Sequence, residues 1–317
     1  MKVAKVTAYG GVEAIVFEQR PTPTPRAGEV LVQVHAAPVT AGDVRIRSGR
    51  VPRGFGTILR LVFGWNRPRR AVQGWSFAGT VLNGGGFARG ARVFGITGIK
   101  GGAHGEIVAV PKGQVMAMPD SLSFEQAAAF FFGGLTATTF LLDIVTLQAG
   151  QRILINGATG SVGSAAIEIA KSKGAVVTAV CSAHNRDLAL RLGADEVRDY
   201  RIDVLAGPFD VILDVIGTLP WPKAAPLLAR GGTLLLVSTD LAQNLGAALR
   251  PKRGTKRVKT GISSESRANM DRLLALYLAG QYHPLVGQIF AFEDIRDAHA
   301  QAETFSKPGN TIVKMTS

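Results

Sequence analysis

A short apolar strand runs directly into a glycine-rich turn and an amphipathic helix in the segment ILINGATGSVGSAAIEIAKSKGAVVTAVCSA. No other stretch restricts the fold as tightly. Gly157, Gly160 and Gly163 recur at a spacing of three. Such a turn lets backbone come close to a pyrophosphate and aims the N-terminus of the following helix at it. Gly163 would also let the helix pack closely on the sheet. Glycine triplets serve many tight turns, so the flanks matter. Here a strand over 152–156, a helix over 163–173 and a second strand over 176–181 complete a βαβ unit. The segment predicts dinucleotide binding, with a merely structural turn as the alternative.

The same rhythm continues along the second half. Residues 186–192 read as a helix, and 211–215 and 234–238 as continuous apolar strands. Apolar strands between amphipathic helices predict a doubly wound α/β arrangement, a parallel sheet covered on both faces. Before Pro119 the pattern is different. Residues 30–34 (VLVQV) alternate and are β-branched, and 77–82, 92–96 and 106–110 are further short strands between glycines and prolines. A small β-rich barrel or sandwich is expected there. Ser123 is placed to cap a helix over 123–129. The tail beyond Phe290 holds a helical DIRDAHAQAE and a closing strand over 310–315. A chain of 317 residues, 46% of them hydrophobic, suits two cores. The expected division is 1–118 with 284–317, and 119–283.

The end of the second strand of the βαβ unit selects among dinucleotides. A site for NAD places an Asp or Glu there to hold the ribose hydroxyls. This chain has Cys181, Ser182, Ala183, His184, Asn185 and Arg186, with no acid before Asp187. Ser182 can donate to a phosphate and Arg186 can fork onto one. His184 can carry part of such a contact when charged. NADPH is the expected cofactor.

With these motifs in order, the chain resembles the medium-chain dehydrogenase/reductase superfamily, in its zinc-free quinone oxidoreductase-like branch. The stretches that carry the resemblance include GEVLVQVHAAPVTAGDVRIRSG, FAGTV, GARVFG, GAHGEIVAVP, AAAFFFGGLTA, GQRILINGATGSVG, LGADEVRDY, FDVILDVIG and RGGTLLLVS. The resemblance implies a GroES-like β-rich catalytic domain, a Rossmann domain inserted before its last elements, an active cleft between them, and a homodimer. It also implies a cofactor site. Thr136 would lie near the nicotinamide, and Thr159, Gly160, Ser161 and Val162 along the pyrophosphate. Ser182, Arg186 and Tyr200 would hold the adenosine phosphate end. Ile216 and Gly217 would flank the adenine ribose, Ser238 and Thr239 would approach the nicotinamide ribose, and Asn310 would close over the cofactor.

Departures from the family pattern are equally informative. Zinc-dependent members carry Gly-His-Glu where this chain has Gly74, Trp75 and Ser76. The single cysteine, Cys181, rules out a disulfide framework and a multi-thiolate zinc site. No metal is expected. The asparagine of the V-N-x-x-D motif is replaced by Thr40, followed by Ala41, Gly42 and Asp43. Thr40 can hydrogen-bond a nicotinamide or a carbonyl, so Thr40 and Asp43 are the candidate catalytic residues.

Without a metal to polarise a carbonyl, the natural hydride acceptors are quinones or enones, where a developing enolate needs only hydrogen-bond donors. Two basic runs stand apart from that chemistry. Arg45, Arg47, Arg50, Arg53, Arg60, Arg67, Arg69 and Arg70 have no acid among them, and a second cluster holds Arg250, Lys252, Arg253, Lys256, Arg257 and Lys259. They read as a solvated face or a flap that attracts a polyanionic cofactor. A nucleotide-binding sensor or RNA-binding protein with little turnover, and a zinc-free alcohol or aldehyde oxidoreductase, remain as alternatives. The N-terminal MKVAKVTAYGG lacks the apolar run of a signal peptide. Residues 127–142 are apolar but shorter than the ~20 residues that span a bilayer. A buried helix, no membrane partner and a cytoplasmic location are expected.

Overall fold

A computed structural model describes residues 1–50, 56–238, 255–304 and 307–315, apart from the side chains of residues 58 and 59. The chain divides into two units. One comprises Met1–Val51, Gly56–Phe132 and Pro284–Ser317, and the other Gly133–His283. The division after Phe132 falls later in the chain than the expected one at 119. The reason is the helix Phe124–Ala128, capped by Ser123, whose hydroxyl accepts from the Gln126 amide. It packs on the strands Glu29–Val39 and Ser76–Gly84 and so belongs to the first unit.

The second unit is built on a six-stranded sheet. In spatial order its strands are Glu196–Asp199, Val176–Cys181, Arg152–Asn156, Phe209–Asp214, Leu228–Leu236 and Arg257–Thr260. All pairings are parallel. In chain order this is 3-2-1-4-5-6, the doubly wound arrangement in which ligands sit beyond the carboxyl ends of the first and fourth strands. The central strands were legible because both faces are covered: Ile153, Leu154, Ile155, Val177, Ile212, Leu213, Leu234 and Leu235 are all buried. The two edge strands went unread. Glu196–Asp199 alternates half-buried and buried residues, and Arg257–Thr260 has no fully buried residue. A charged edge blunts further strand pairing and erases the apolar signal at the same time.

The first unit is β-rich, as expected. Glu29–Val39 is its central strand, pairing antiparallel with Asn310–Lys314, Ser76–Gly84 and Ile107–Pro111. Val286–Ala291 joins Asn310–Lys314 in parallel, while Arg92–Ile96 and Val115–Ala117 extend the other side. A separate ribbon pairs Lys2–Val6 with Ile15–Gln19. Val30, Val32, Val34, Phe77, Val93, Phe292, Ile295 and Val313 form one core. The apolar segment 127–142 is a helix, Phe130–Thr138, continued by a wider π turn over Thr139–Ile144. Among the described residues no helix is long and apolar enough to cross a membrane.

Candidate dinucleotide site and the buried charge cluster

The glycine turn follows Arg152–Asn156, and its amides are fixed early. Gly157 N and Ala158 N both donate to Val180 O at 3.1 Å, which locks the turn onto the neighbouring strand. Gly157 has φ +81°, a conformation in which L side chains are strained. Any Cβ on it would also meet Ile216 Cγ2 at 2.7 Å. A Cβ on Gly163 would collide with Gly157 O and come within 2.7 Å of Ala158 Cα. These two glycines are structural necessities. Gly160 is different. Its φ is −74°, and a Cβ there would meet nothing nearer than Gly157 O at 3.6 Å. The side of the turn it faces is open, at the N-terminus of the helix Ser161–Ser172. A helix N-terminus presents backbone N–H groups and the positive end of the helix dipole, which makes the spot receptive to an anion.

Several residues expected at the cofactor converge on this edge. Ile216 covers Gly157, and Gly217 (φ +78°) lies so close to the strand after it that a Cβ would approach Ser238 O at 2.8 Å. Thr159 accepts from Asn185 Nδ2 at 3.2 Å. Helix Phe130–Thr138 approaches backbone to backbone, since a Cβ on Gly133 would collide with Ser161 O. Thr136 is buried further along that helix. Val162 is buried, His184 is exposed, and Ser182 follows the second strand. Thr239 lies outside the described residues.

Other residues sit differently from expectation. Arg186 Nη1 donates to Val197 O at 3.2 Å, so this guanidinium is engaged with the third strand. Tyr200 is 55% exposed, with Arg201 stacked over its ring at 5.4 Å. Asn310 Nδ2 donates to Leu285 O at 3.0 Å within the first unit.

Three polar groups at this edge escaped the sequence reading. Asn156 Nδ2 donates to Asp214 Oδ1 and to Thr218 Oγ1, each at 2.8 Å. Asp214, fully buried, also accepts from Gly217 N at 3.0 Å and Leu219 N at 2.8 Å. This bracket ties the ends of the first and fourth strands together where a ligand would enter. The third group is Asp199. The sequence places no acid at the end of the second strand, but parallel pairing sets Asp199 opposite Cys181. Its carboxylate accepts from Ala183 N and Arg201 N, both at 2.9 Å. Burial, reinforced by Asp199, pushes the Cys181 thiol up to about 11, so it is protonated and unreactive at neutral pH.

The candidate catalytic pair lies in the first unit. Thr40 and Asp43 form a capping box at the helix Ala41–Ser48. Thr40 Oγ1 donates to Asp43 Oδ2 at 2.6 Å, Thr40 N donates to the same oxygen at 2.9 Å, and Gly74 N donates to Asp43 Oδ1 at 3.0 Å. Both side chains are buried, and the Thr40 proton is committed to Asp43. Around them gather charges the sequence did not connect. Arg47 is fully buried, bonding Gly10 O at 2.7 Å and Glu303. Lys307 bonds Thr311 Oγ1; burial pulls its ammonium down to about 8, against the opposing pull of Asp43. His299 is buried 5.7 Å from the His104 ring, and its pKa lies well below the ordinary value, chiefly through burial. Among the described residues no three His, Cys, Asp or Glu side chains cluster as a metal would require.

Comparison with known proteins agrees with this architecture. Residues 26–120 match the family described as alcohol dehydrogenase GroES-like domain, and 192–313 the family described as zinc-binding dehydrogenase. The chain is 30% identical to the human mitochondrial NAD(P)H oxidoreductase RTN4IP1, over 90% of this chain and 82% of that protein. It is 27% identical to quinone oxidoreductase of Sus scrofa, over 94% and 93%. The solved quinone oxidoreductase of Coxiella burnetii superposes with a TM-score of 0.87 at 24% identity, covering 100% and 99% of the two chains. That of Escherichia coli, solved with NADPH, gives 0.84 at 22% identity, covering 99% and 100%.

Proposed function

The chain belongs to the medium-chain dehydrogenase/reductase superfamily, in its quinone oxidoreductase-like branch, and from that premise we propose an NADPH-dependent, zinc-independent reductase of quinones or α,β-unsaturated carbonyls. The observation that carries the proposal is the open side of Gly160 in a turn otherwise closed by its own backbone. A turn kept for structure alone has no need of that clearance. Pyrophosphate fits there, against backbone amides and the helix N-terminus. Thr136, Ser161, Val162 and Ser238 would orient the dinucleotide, and Ser182, His184 and Tyr200 would meet its 2′-phosphate end. Bound there, NADPH supplies the hydride.

The chain's own residues do the rest. The Asn156–Asp214 bracket fixes the mouth of the site, so that geometry is set before anything binds. No side chain is needed to ionise the acceptor, because a quinone or enone is already electron-poor. Thr40 would act through its oxygen lone pair, since its proton is given to Asp43. The donor set supports zinc independence, because Trp75 and Ser76 replace the expected ligands and Cys181 is a buried, protonated thiol.

Asp199 favours one competing reading, NADH as cofactor, because it brings a carboxylate to the end of the second strand. Against that, both its oxygens already accept backbone amides. The deciding experiment follows NADPH and NADH oxidation with a panel of quinones, enones and aldehydes, with and without a chelator. NADPH-dependent turnover of quinones or enones, unchanged by chelation, is expected. Turnover confined to aldehydes, loss on chelation, or no oxidation at all overturns the proposal.

A further inference from the structure

The first unit holds an open cavity of about 560 Å³ lined by Lys5, Arg20, Arg67 and Arg69 together with Trp65 and Asn66. This volume falls in the range of small-molecule sites, roughly 300–1,000 Å³. No acid is among the lining residues. Glu18, which stands next to the cavity wall, pairs with Lys5 at 3.2 Å and Arg20 at 2.7 Å and offsets part of their charge. Arg67 and Arg69 are exposed and make no ion pair among the described residues. Two exposed guanidiniums on a cavity wall without a carboxylate raise a positive potential there that draws anions.

The wall is built rather than draped. Tyr9 Oη donates to Gly64 O at 2.6 Å, Arg60 Nη1 donates to Trp65 O at 2.8 Å, and Val6 N donates to Ala71 O at 2.8 Å. Gly64, with φ +122°, lets the chain fold back so tightly that a Cβ would collide with Arg67 O. The loop therefore holds Trp65 and Arg67 in place. Trp65 is 59% exposed, an unusual position for an indole unless its face has a use. Aromatic faces beside a cluster of guanidiniums accept a planar ring joined to a phosphate.

The geometry points to a second binding site for a small phosphorylated ligand with a planar ring, of mononucleotide size. Arg67 and Arg69 take the phosphate, with Lys5 and Arg20 behind them. Trp65 provides the stacking face and Asn66 an amide for the ring edge. A single-stranded RNA needs a groove that tracks a backbone, whereas this cavity is walled by one short loop and two strand ends. The site shares no residue with the glycine turn, since every lining residue belongs to the first unit.

Calorimetric titration of the full chain with UMP, uridine, inorganic phosphate and an oligouridylate tests the site at low salt. UMP should bind, and Gly160→Val should leave that binding intact. Arg67→Ala and Arg69→Ala should each weaken it about tenfold, the loss of one charge-assisted contact. Uridine should bind more weakly than UMP, and Trp65→Ala should weaken UMP but not inorganic phosphate. The proposal fails if UMP does not bind, or if Gly160→Val abolishes binding while the arginine variants leave it unchanged. Phosphate binding as tightly as UMP would reduce the site to an anion patch and overturn the role of Trp65. Oligouridylate binding far more tightly than UMP, with loss in the same variants, would replace it with a nucleic-acid surface.

Discussion

The two units bury polar groups by opposite strategies. At the switch point of the second unit, the Asn156 amide donates to Asp214 and Thr218, and Asp214 accepts two backbone amides besides. The remaining shape comes from glycines that leave no room for a side chain. In the first unit, Asp43, Arg47 and Lys307 concentrate charge around the Thr40 helix, beside a buried His299 that burial keeps neutral. Arg47 Nε and His299 Nδ1 have no hydrogen-bond partner among the described residues. A region held by shape should respond to added volume and little to pH. One held by charge should do the reverse.

The largest effect is expected where the charge cluster has a single anchor. Asp43→Ala removes the acceptor of three hydrogen bonds and the opposing pull on Lys307. Leaving a buried donor unsatisfied costs about 1–3 kcal/mol, and here two backbone amides lose their acceptor. Denaturant unfolding that shows less than ~1 kcal/mol would remove Asp43 from the centre of the contrast.

Next comes pH. The Lys307 ammonium is pulled from 10.5 to about 8 in the fold, so the unfolded chain binds the extra proton between those values. Stability should therefore rise with pH from about 8 to 10.5 and be flat below that window, by about 3 kcal/mol at most. Cys181, the exception in the second unit, works in the other direction. Its thiol is raised from 9.0 to about 11, so its contribution is complete below 9 and lost as pH climbs to 11. Lys307→Met should abolish the rise and Cys181→Ser the fall. Identical pH profiles in all three proteins would show that neither burial matters.

Glycine substitutions probe the region held by shape. Gly163→Val should cost about 1–3 kcal/mol through forced overpacking. Gly160→Val should cost less than ~1 kcal/mol yet weaken NADPH at least about tenfold. Equal destabilisation by both would erase the distinction between closed and open sides of the turn. The smallest effect concerns cofactor choice. Arg186 must leave Val197 O to reach a phosphate, so Arg186→Ala should lower the ratio of NADPH to NADH affinity by about tenfold or less. Asp199→Asn should raise that ratio. A ratio unchanged by either variant would assign discrimination to Ser182, His184 or Tyr200.

The sequence by itself determined the βαβ unit, the apolar central strands and the Ser123 cap. Each depends on neighbours within a few residues: the triplet 157–160–163, the run Ile153–Ile155, the Ser123–Gln126 pair. The family motif singled out Thr40 and Asp43, but that they form a capping box came only with the structure. Only the tertiary structure decided the edge strands, whose charged faces carry no apolar period. It alone brought Asp199 beside Cys181 across 18 residues, Asn156 to Asp214 across 58, and Lys307 toward Asp43. Those meetings depend on which strands pair in which register. Register is fixed by the burial of whole faces at once, a property of the assembled sheet that no short stretch of sequence contains.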